Sequence, residues 1–213
     1  LLSKPTTTPL PLMLLLMDRW PLDRLSKRAV LEKIPFFILA GLFAVLTMIC
    51  EQRVNPLSLP AKLSPLHLPL RLCYLAMFYP AKIVLPIHLS SVYMLPDPLA
   101  LTHPIVALAV VGTIVLIVGL VVSRRWTPAL WVGVLLFYFG LAPTMGFVGY
   151  SWVWASDKYV YLPAVGLVLI LSWLLNRAWP TRARRTAMVI ALAAAALLAL
   201  GTRNYLQKWQ TSE

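Results

Sequence analysis

From Pro104 to Ser123 the chain runs for 20 residues without a charge, and Ile34–Cys50 and Thr186–Thr202 are 17-residue stretches of the same kind. A helix crosses a hydrocarbon core of about 30 Å with roughly 20 residues. No water inside that core can serve the backbone, so each stretch must close its own hydrogen bonds as a helix. Tyr159–Asn176 reads as a further span. Thr127–Leu141 reads as a helix broken by Pro143 and glycines 146 and 149, and Leu10–Met17 as a short one behind Pro5, Pro9 and Pro11. A chain that is 60% hydrophobic and 12% charged cannot cover its apolar surface in water, where domains are about 45–50% apolar and about 25% charged. The expected architecture is all-α: a polytopic transmembrane helix bundle of about six spans plus one re-entrant or interfacial segment. It fills residues 1–202, and residues 203–213 begin an extracytoplasmic tail or repeat domain.

The net charge of +12 would suggest a nucleic-acid partner in a soluble chain. Here the basic residues gather between apolar segments, so the expected partner is the lipid bilayer and no nucleic acid. Segments 18–33, 124–125 and 177–185 hold 5, 2 and 4 of the 19 lysines and arginines, which makes all three cytoplasmic. That count leaves residues 70–86, interrupted by Arg71, Pro80 and Lys82, without a simple crossing. The segment is expected to be re-entrant, interfacial or half of a short hairpin; if it spans fully, one basic loop is wrongly oriented. Arg53, Lys62, Arg71, Lys82, His88, Tyr93, Asp97, His103, Asp157 and Lys158 then lie on or near one outer face, as does the C-terminal tail.

The candidate chemistry centres on Ser151–Gly166, SWVWASDKYVYLPAVG. Asp157 and Lys158 are too costly for lipid and belong at a water interface or in a pocket that solvates or pairs them. Trp152, Trp154, Tyr159 and Tyr161 fit either an aromatic belt at headgroup level or the rim of a site facing a polar headgroup. Lys82, Arg71 and Lys158 could hold an anion, or Lys82 and Arg71 could simply snorkel. The stretch GLAPTMGFVGYSW suits a backbone bent around a ligand, and equally a plain loop at a helix end. His67, His88 and His103 are poorly spaced for a metal, Cys50 and Cys73 lack ligand spacing, and no cofactor is expected.

Four stretches resemble the membrane part of bacterial transmembrane and tetratricopeptide-repeat proteins: residues 1–24, 31–41 (LEKIPFFILAG), 79–93 (YPAKIVLPIHLSSVY) and 156–167 (SDKYVYLPAVGL). These are relatives of the O-mannosyltransferases of that architecture, within the GT-C glycosyltransferases. In that family the last stretch usually reads D-R-Y-x-Y-L-P-x-x-G. It is matched by Asp157, Tyr159, Tyr161, Leu162, Pro163 and Gly166, with Lys158 in place of the arginine, which loses the bidentate fork. The resemblance implies transfer of a sugar from a polyprenyl-phosphate donor to a protein or glycan acceptor on the outer face of the bacterial inner (cell) membrane. It implies that Asp157, Lys158, Tyr159 and Tyr161 line the outer cavity, that Lys82, Pro86 and Tyr93 face the donor phosphate, and that Lys4 lies at the outer start of the first helix. The family's catalytic carboxylate lies in a first outer loop, ahead of Leu1, so no catalytic residue is expected among these 213. Both ends read as cut from something longer, residues 203–209 read as the join to repeats, and this stretch alone is expected to be inactive. Two other classes stand beside the enzyme: a non-catalytic membrane scaffold carrying the repeat domain, and a transporter of a lipid-linked substrate. The transporter calls for charges inside the spans, which 34–50, 104–123 and 186–202 lack.

Overall fold

The computed structural model describes residues 7–54, 67–145, 153–178 and 183–210, and within them the chain is helical, with no strand. Seven α-helices are described: α1 (Leu10–Arg19), α2 (Lys27–Val54), α3 (His67–Val84), α4 (Pro104–Ser123), α5 (Pro128–Leu141), α6 (Ala164–Ala178) and α7 (Ala183–Gln210). Two 3-10 turns, Ala142–Thr144 and Asp157–Val160, stand on either side of the α5–α6 connection. Three stretches are long and apolar enough to cross a membrane: Lys27–Cys50, Pro104–Ser123 and Arg185–Asn204. Pro128–Thr144 and Ala164–Arg177 are apolar but shorter. Pro56, Pro60 and Pro65, glycines 146 and 149, and Lys4, Lys62 and Trp152 lie outside the described residues.

The helix starts follow from local chemistry. Ser26 Oγ accepts the Ala29 amide at 3.2 Å before α2, and Thr127 Oγ1 accepts the Ala129 amide at 3.1 Å before α5; each serves a donor that the first turn leaves unpaired. Pro104 and Pro128 open α4 and α5, where the missing N–H costs nothing.

The chain divides into two compact units, Leu1–Leu169 and Ile170–Glu213. In the first unit, α3 and α4 lie antiparallel: a Cβ on Gly112 would meet Met77, and Thr113 Oγ1 donates to the Cys73 carbonyl at 3.3 Å. Helices α3 and α5 run parallel, since Tyr138 Oη donates to the Ala76 carbonyl at 2.9 Å while Tyr79, three residues on, neighbours Thr144. Leu75, Ala76, Tyr79, Phe137, Leu141, Met145 and Ala155 form the larger core cluster. Met13, Val132 and Leu136 form a second, against which Trp20, Trp131 and Leu162 pack.

Residues 70–84 belong to a single 18-residue helix, His67–Val84, about 27 Å long, laid along α4 as one half of an antiparallel pair. Pro80 cannot donate to the Ala76 carbonyl four residues earlier, yet the helix continues because the Tyr138 hydroxyl fills that vacancy. The antiparallel pairing places His67 at the Arg124–Arg125 end of the unit and Lys82 at the opposite end. Along the α3 axis Arg71 stands eleven residues, about 16 Å, before Lys82. Arg71 is buried, with its guanidinium 5.2 Å from the centre of the Trp154 ring.

In the second unit, α7 is one continuous helix that carries the polar residues beyond Thr202 with it. Arg177 rests over Trp173 at 5.8 Å.

Candidate functional site

The site sits at the end of the first unit where α3 finishes, α4 begins and α6 begins. It is made from two loops, residues 85–103 and 153–163. Tyr93 and Ala155 pair as an isolated antiparallel bridge, with the Tyr93 amide 3.0 Å from the Ala155 carbonyl. This bridge is the first link between stretches more than 60 residues apart.

Asp157 is the second. Its carboxylate accepts the Ser90 amide at 2.7 Å, and the Tyr93 hydroxyl lies 2.9 and 3.1 Å from its two oxygens. The Ser90 amide also approaches the Tyr93 hydroxyl at 2.8 Å, and the Asp157 amide reaches back to the Ser90 carbonyl at 3.4 Å. Hydrogen bonds to an ionised carboxylate are about twice as strong as neutral ones, so this aspartate pins one loop to the other.

Lys82 ends α3 beside the clasp. Its ammonium donates to the carbonyls of Ile87 at 2.7 Å and His88 at 3.2 Å. It also lies over the rings of Tyr93 at 4.9 Å and Phe78 at 5.8 Å, within cation–π range. The His88 carbonyl takes a further approach from the Tyr93 hydroxyl at 3.0 Å. This convergence holds His88 at φ 50°, a left-handed conformation uncommon outside glycine.

Of the residues singled out from the sequence, Lys82, Tyr93 and Asp157 come together. Lys158 is exposed, with its ammonium 5.4 Å from the Tyr159 ring centre; it borders the clasp through its neighbour Asp157. Tyr159 packs against the larger core cluster, so only part of it faces outward. Tyr161 is 82% exposed and has no place in the clasp. Pro86 is exposed in the loop that Lys82 caps. Beneath the site, the Tyr79 hydroxyl takes the Ser156 amide at 3.4 Å, and Ser156 is fully buried.

The D-K-Y-V-Y-L-P-A-V-G run divides by task. Asp157 makes the clasp and Lys158 stays outside, while Leu162, Pro163 and Gly166 pack. Pro163 lies against Gly140, where a Cβ would come within 2.9 Å of its ring. Gly166 lies against the backbone of Gly133 and Phe137.

Ser90 is the participant the sequence did not point to. It contributes through its amide, which any residue other than proline also carries, so no pattern of side chains reveals it. The histidines are dispersed: His67 opens α3, His103 precedes α4 and His88 lies in the loop. Among the described residues no three His, Cys, Asp or Glu side chains converge. Cys50 and Cys73 are free thiols.

Comparison with protein-family models, with curated proteins and with solved structures finds no match to this chain.

Proposed function

We propose that this chain is part of a GT-C type membrane glycosyltransferase, which moves a sugar from a polyprenyl-phosphate donor to a protein or glycan acceptor on the outer face of a bacterial inner membrane. The observation supporting this reading is the Tyr93–Asp157 clasp. It joins residues 79–93 to residues 156–167, two of the stretches that carry the resemblance, into one charged ledge. That ledge lies at the end of the unit opposite the Arg124–Arg125 turn, as a site on the non-cytoplasmic side requires. In this reading Lys158 and Lys82 meet the donor phosphate through charge-assisted hydrogen bonds and stabilise the charge it gains as the sugar departs. The base that activates the acceptor hydroxyl comes from outside these residues.

One observation favours the scaffold instead. Lys82 already bonds to two carbonyls, and Asp157 to an amide and a phenol, as a purely structural fastening would. Binding of a short-chain polyprenyl phosphate to the full chain separates the two readings. The transferase reading expects Lys158→Ala, which removes an exposed group, to weaken binding about tenfold with the fold intact. Lys82→Ala weakens it at least as much. Unchanged affinity in both variants leaves the scaffold.

A further inference from the structure

We propose that the opposite end of the first unit is a docking ledge for the headgroups of anionic phospholipids. The inference is independent of the transferase reading and rests on how charge is divided at that end. Two turns meet there, 20–26 between α1 and α2 and 124–127 between α4 and α5. Trp20, at the start of the first turn, and Trp131, in the first turn of α5, both pack on the cluster of Met13, Val132 and Leu136.

Every acidic side chain at this end already has a cation. Lys33 stands 2.6 Å from one oxygen of Asp18 and Arg24 stands 2.7 Å from the other. Arg19 faces Asp23 at 3.5 Å, and Glu32 lies 3.5 Å from Lys33. What remains is one-signed. Lys27, Arg28, Arg124 and Arg125 are exposed, and none of them forms an ion pair among the described residues. The sequence shows basic residues in these loops; only the pairing shows that the acids among them cancel nothing in this group of four.

Two of the four are placed where the fold itself opposes them. Lys27 and Arg28 occupy the first turn of α2, which contains no acid. A helix start carries about half a positive charge, so these cations gain from an anion supplied from outside. The apolar neighbours agree with a lipid source: Trp126 is 80% exposed, and Leu22 and Leu25 are about half exposed. An indole and leucyl side chains beside arginines suit the boundary of headgroup and acyl chain, and fit an inorganic anion or a water-facing acidic protein poorly. The candidate spans Lys27–Cys50 and Pro104–Ser123 begin at Lys27 and end one residue before Arg124, which suits all four side chains to headgroup depth.

The test titrates the purified full chain, in neutral detergent, with fluorescent phosphatidylglycerol and separately with phosphatidylcholine. Phosphatidylglycerol should bind more tightly, and added salt should weaken it. Each basic residue near an anionic surface is worth roughly a factor of five, so Arg124→Gln with Arg125→Gln should cost about thirtyfold at low salt, and Lys27→Gln with Arg28→Gln a similar factor. Arg124→Lys with Arg125→Lys should restore binding. All these side chains are exposed, and the helical circular dichroism of each pair is measured alongside. Equal binding of the two lipids, or full phosphatidylglycerol affinity in both folded glutamine pairs, overturns the proposal. So does displacement of the lipid by inorganic phosphate, which identifies a site for free anions.

Discussion

Replacing Gly166 by alanine tests how α5 and α6 meet. A Cβ at Gly166 would run into the Gly133 carbonyl oxygen, would stand 2.8 Å from the Phe137 amide nitrogen and would press on Leu136 Cβ at 3.0 Å. Two of the three obstructing groups are backbone and cannot turn aside, so the helices must separate. At Gly119, in α4, nothing lies within 4 Å of the same added carbon. Alanine is favoured over glycine inside a helix by about 0.8–1 kcal/mol, which Gly119→Ala should gain in full. Overpacking a filled contact costs about 1–3 kcal/mol, and rigid neighbours set Gly166→Ala near the top of that range. The net result is a loss of about 2 kcal/mol, a fall in Tm of about 4–8 °C for a chain of this size. Thermal unfolding of the two variants in detergent, against the unaltered protein, gives opposite signs if the contact exists. Equal stability of Gly166→Ala and Gly119→Ala would refute the close approach and, with it, the seating of Pro163 and the Asp157 turn.

The remaining predictions concern two polar supports. Tyr138→Phe leaves the Ala76 carbonyl, already without its Pro80 donor, unpaired beside the core, and should cost about 1–3 kcal/mol by the same unfolding assay; no loss would mean that another donor reaches that carbonyl. Lys33 foremost, and Arg24, hold the Asp18 carboxyl below its ordinary range against the upward push of burial. Such a carboxyl binds fewer protons folded than unfolded, so its stabilisation is complete above the unfolded value, about 3.9, and is lost as the pH falls through the folded one. The unaltered chain should therefore lose stability on acidification below about pH 4. Asp18→Asn should lack that contribution and should be less stable at neutral pH by about 3 kcal/mol. Parallel acid profiles in both proteins would exclude the ion pair.

Helices driven by uncharged length were readable at once. Pro104–Ser123 is α4 to the residue, and Ile34–Cys50 and Thr186–Thr202 fall inside α2 and α7. Polar flanks add to helices without adding to hydropathy, which is why α2 begins seven residues earlier, at Lys27, behind its Ser26 cap. The α3 segment was left open between several forms for a physical reason. Arg71, Pro80 and Lys82 each count against a regular helix when taken alone, and each is accommodated by a partner outside the helix: Trp154 and Tyr138, distant in sequence, and the Ile87 and His88 carbonyls that follow it. Periodicity reports what a residue prefers, and it is blind to a hydroxyl arriving from a neighbouring helix. At the site, charge marked Lys82, Asp157 and Lys158 as residues that need water or a partner. It could not reveal that Asp157 has its partners in Tyr93 and the Ser90 amide, because that pairing depends on a loop bridge of one residue pair.

The division of the Asp157–Gly166 run explains why a charged clasp can exist at the edge of so apolar a chain. A carboxylate held by one amide and one phenol is stabilised only while both donors stay within about 3 Å, and the loop that supplies them pairs with the Asp157 loop through a single bridge. The fixing comes from below. Pro163 and Gly166 set α6 directly on the backbone of α5, Tyr79 and Tyr138 tie α3 to the same neighbourhood, and Ala155 is buried between them. Small residues allow this approach where lipid offers no hydrophobic force to press helices together. The position of Asp157 is thus set by contacts six to nine residues further along the chain, so that widening the α5–α6 seam should move the carboxylate away from Tyr93 without altering any residue of the clasp itself.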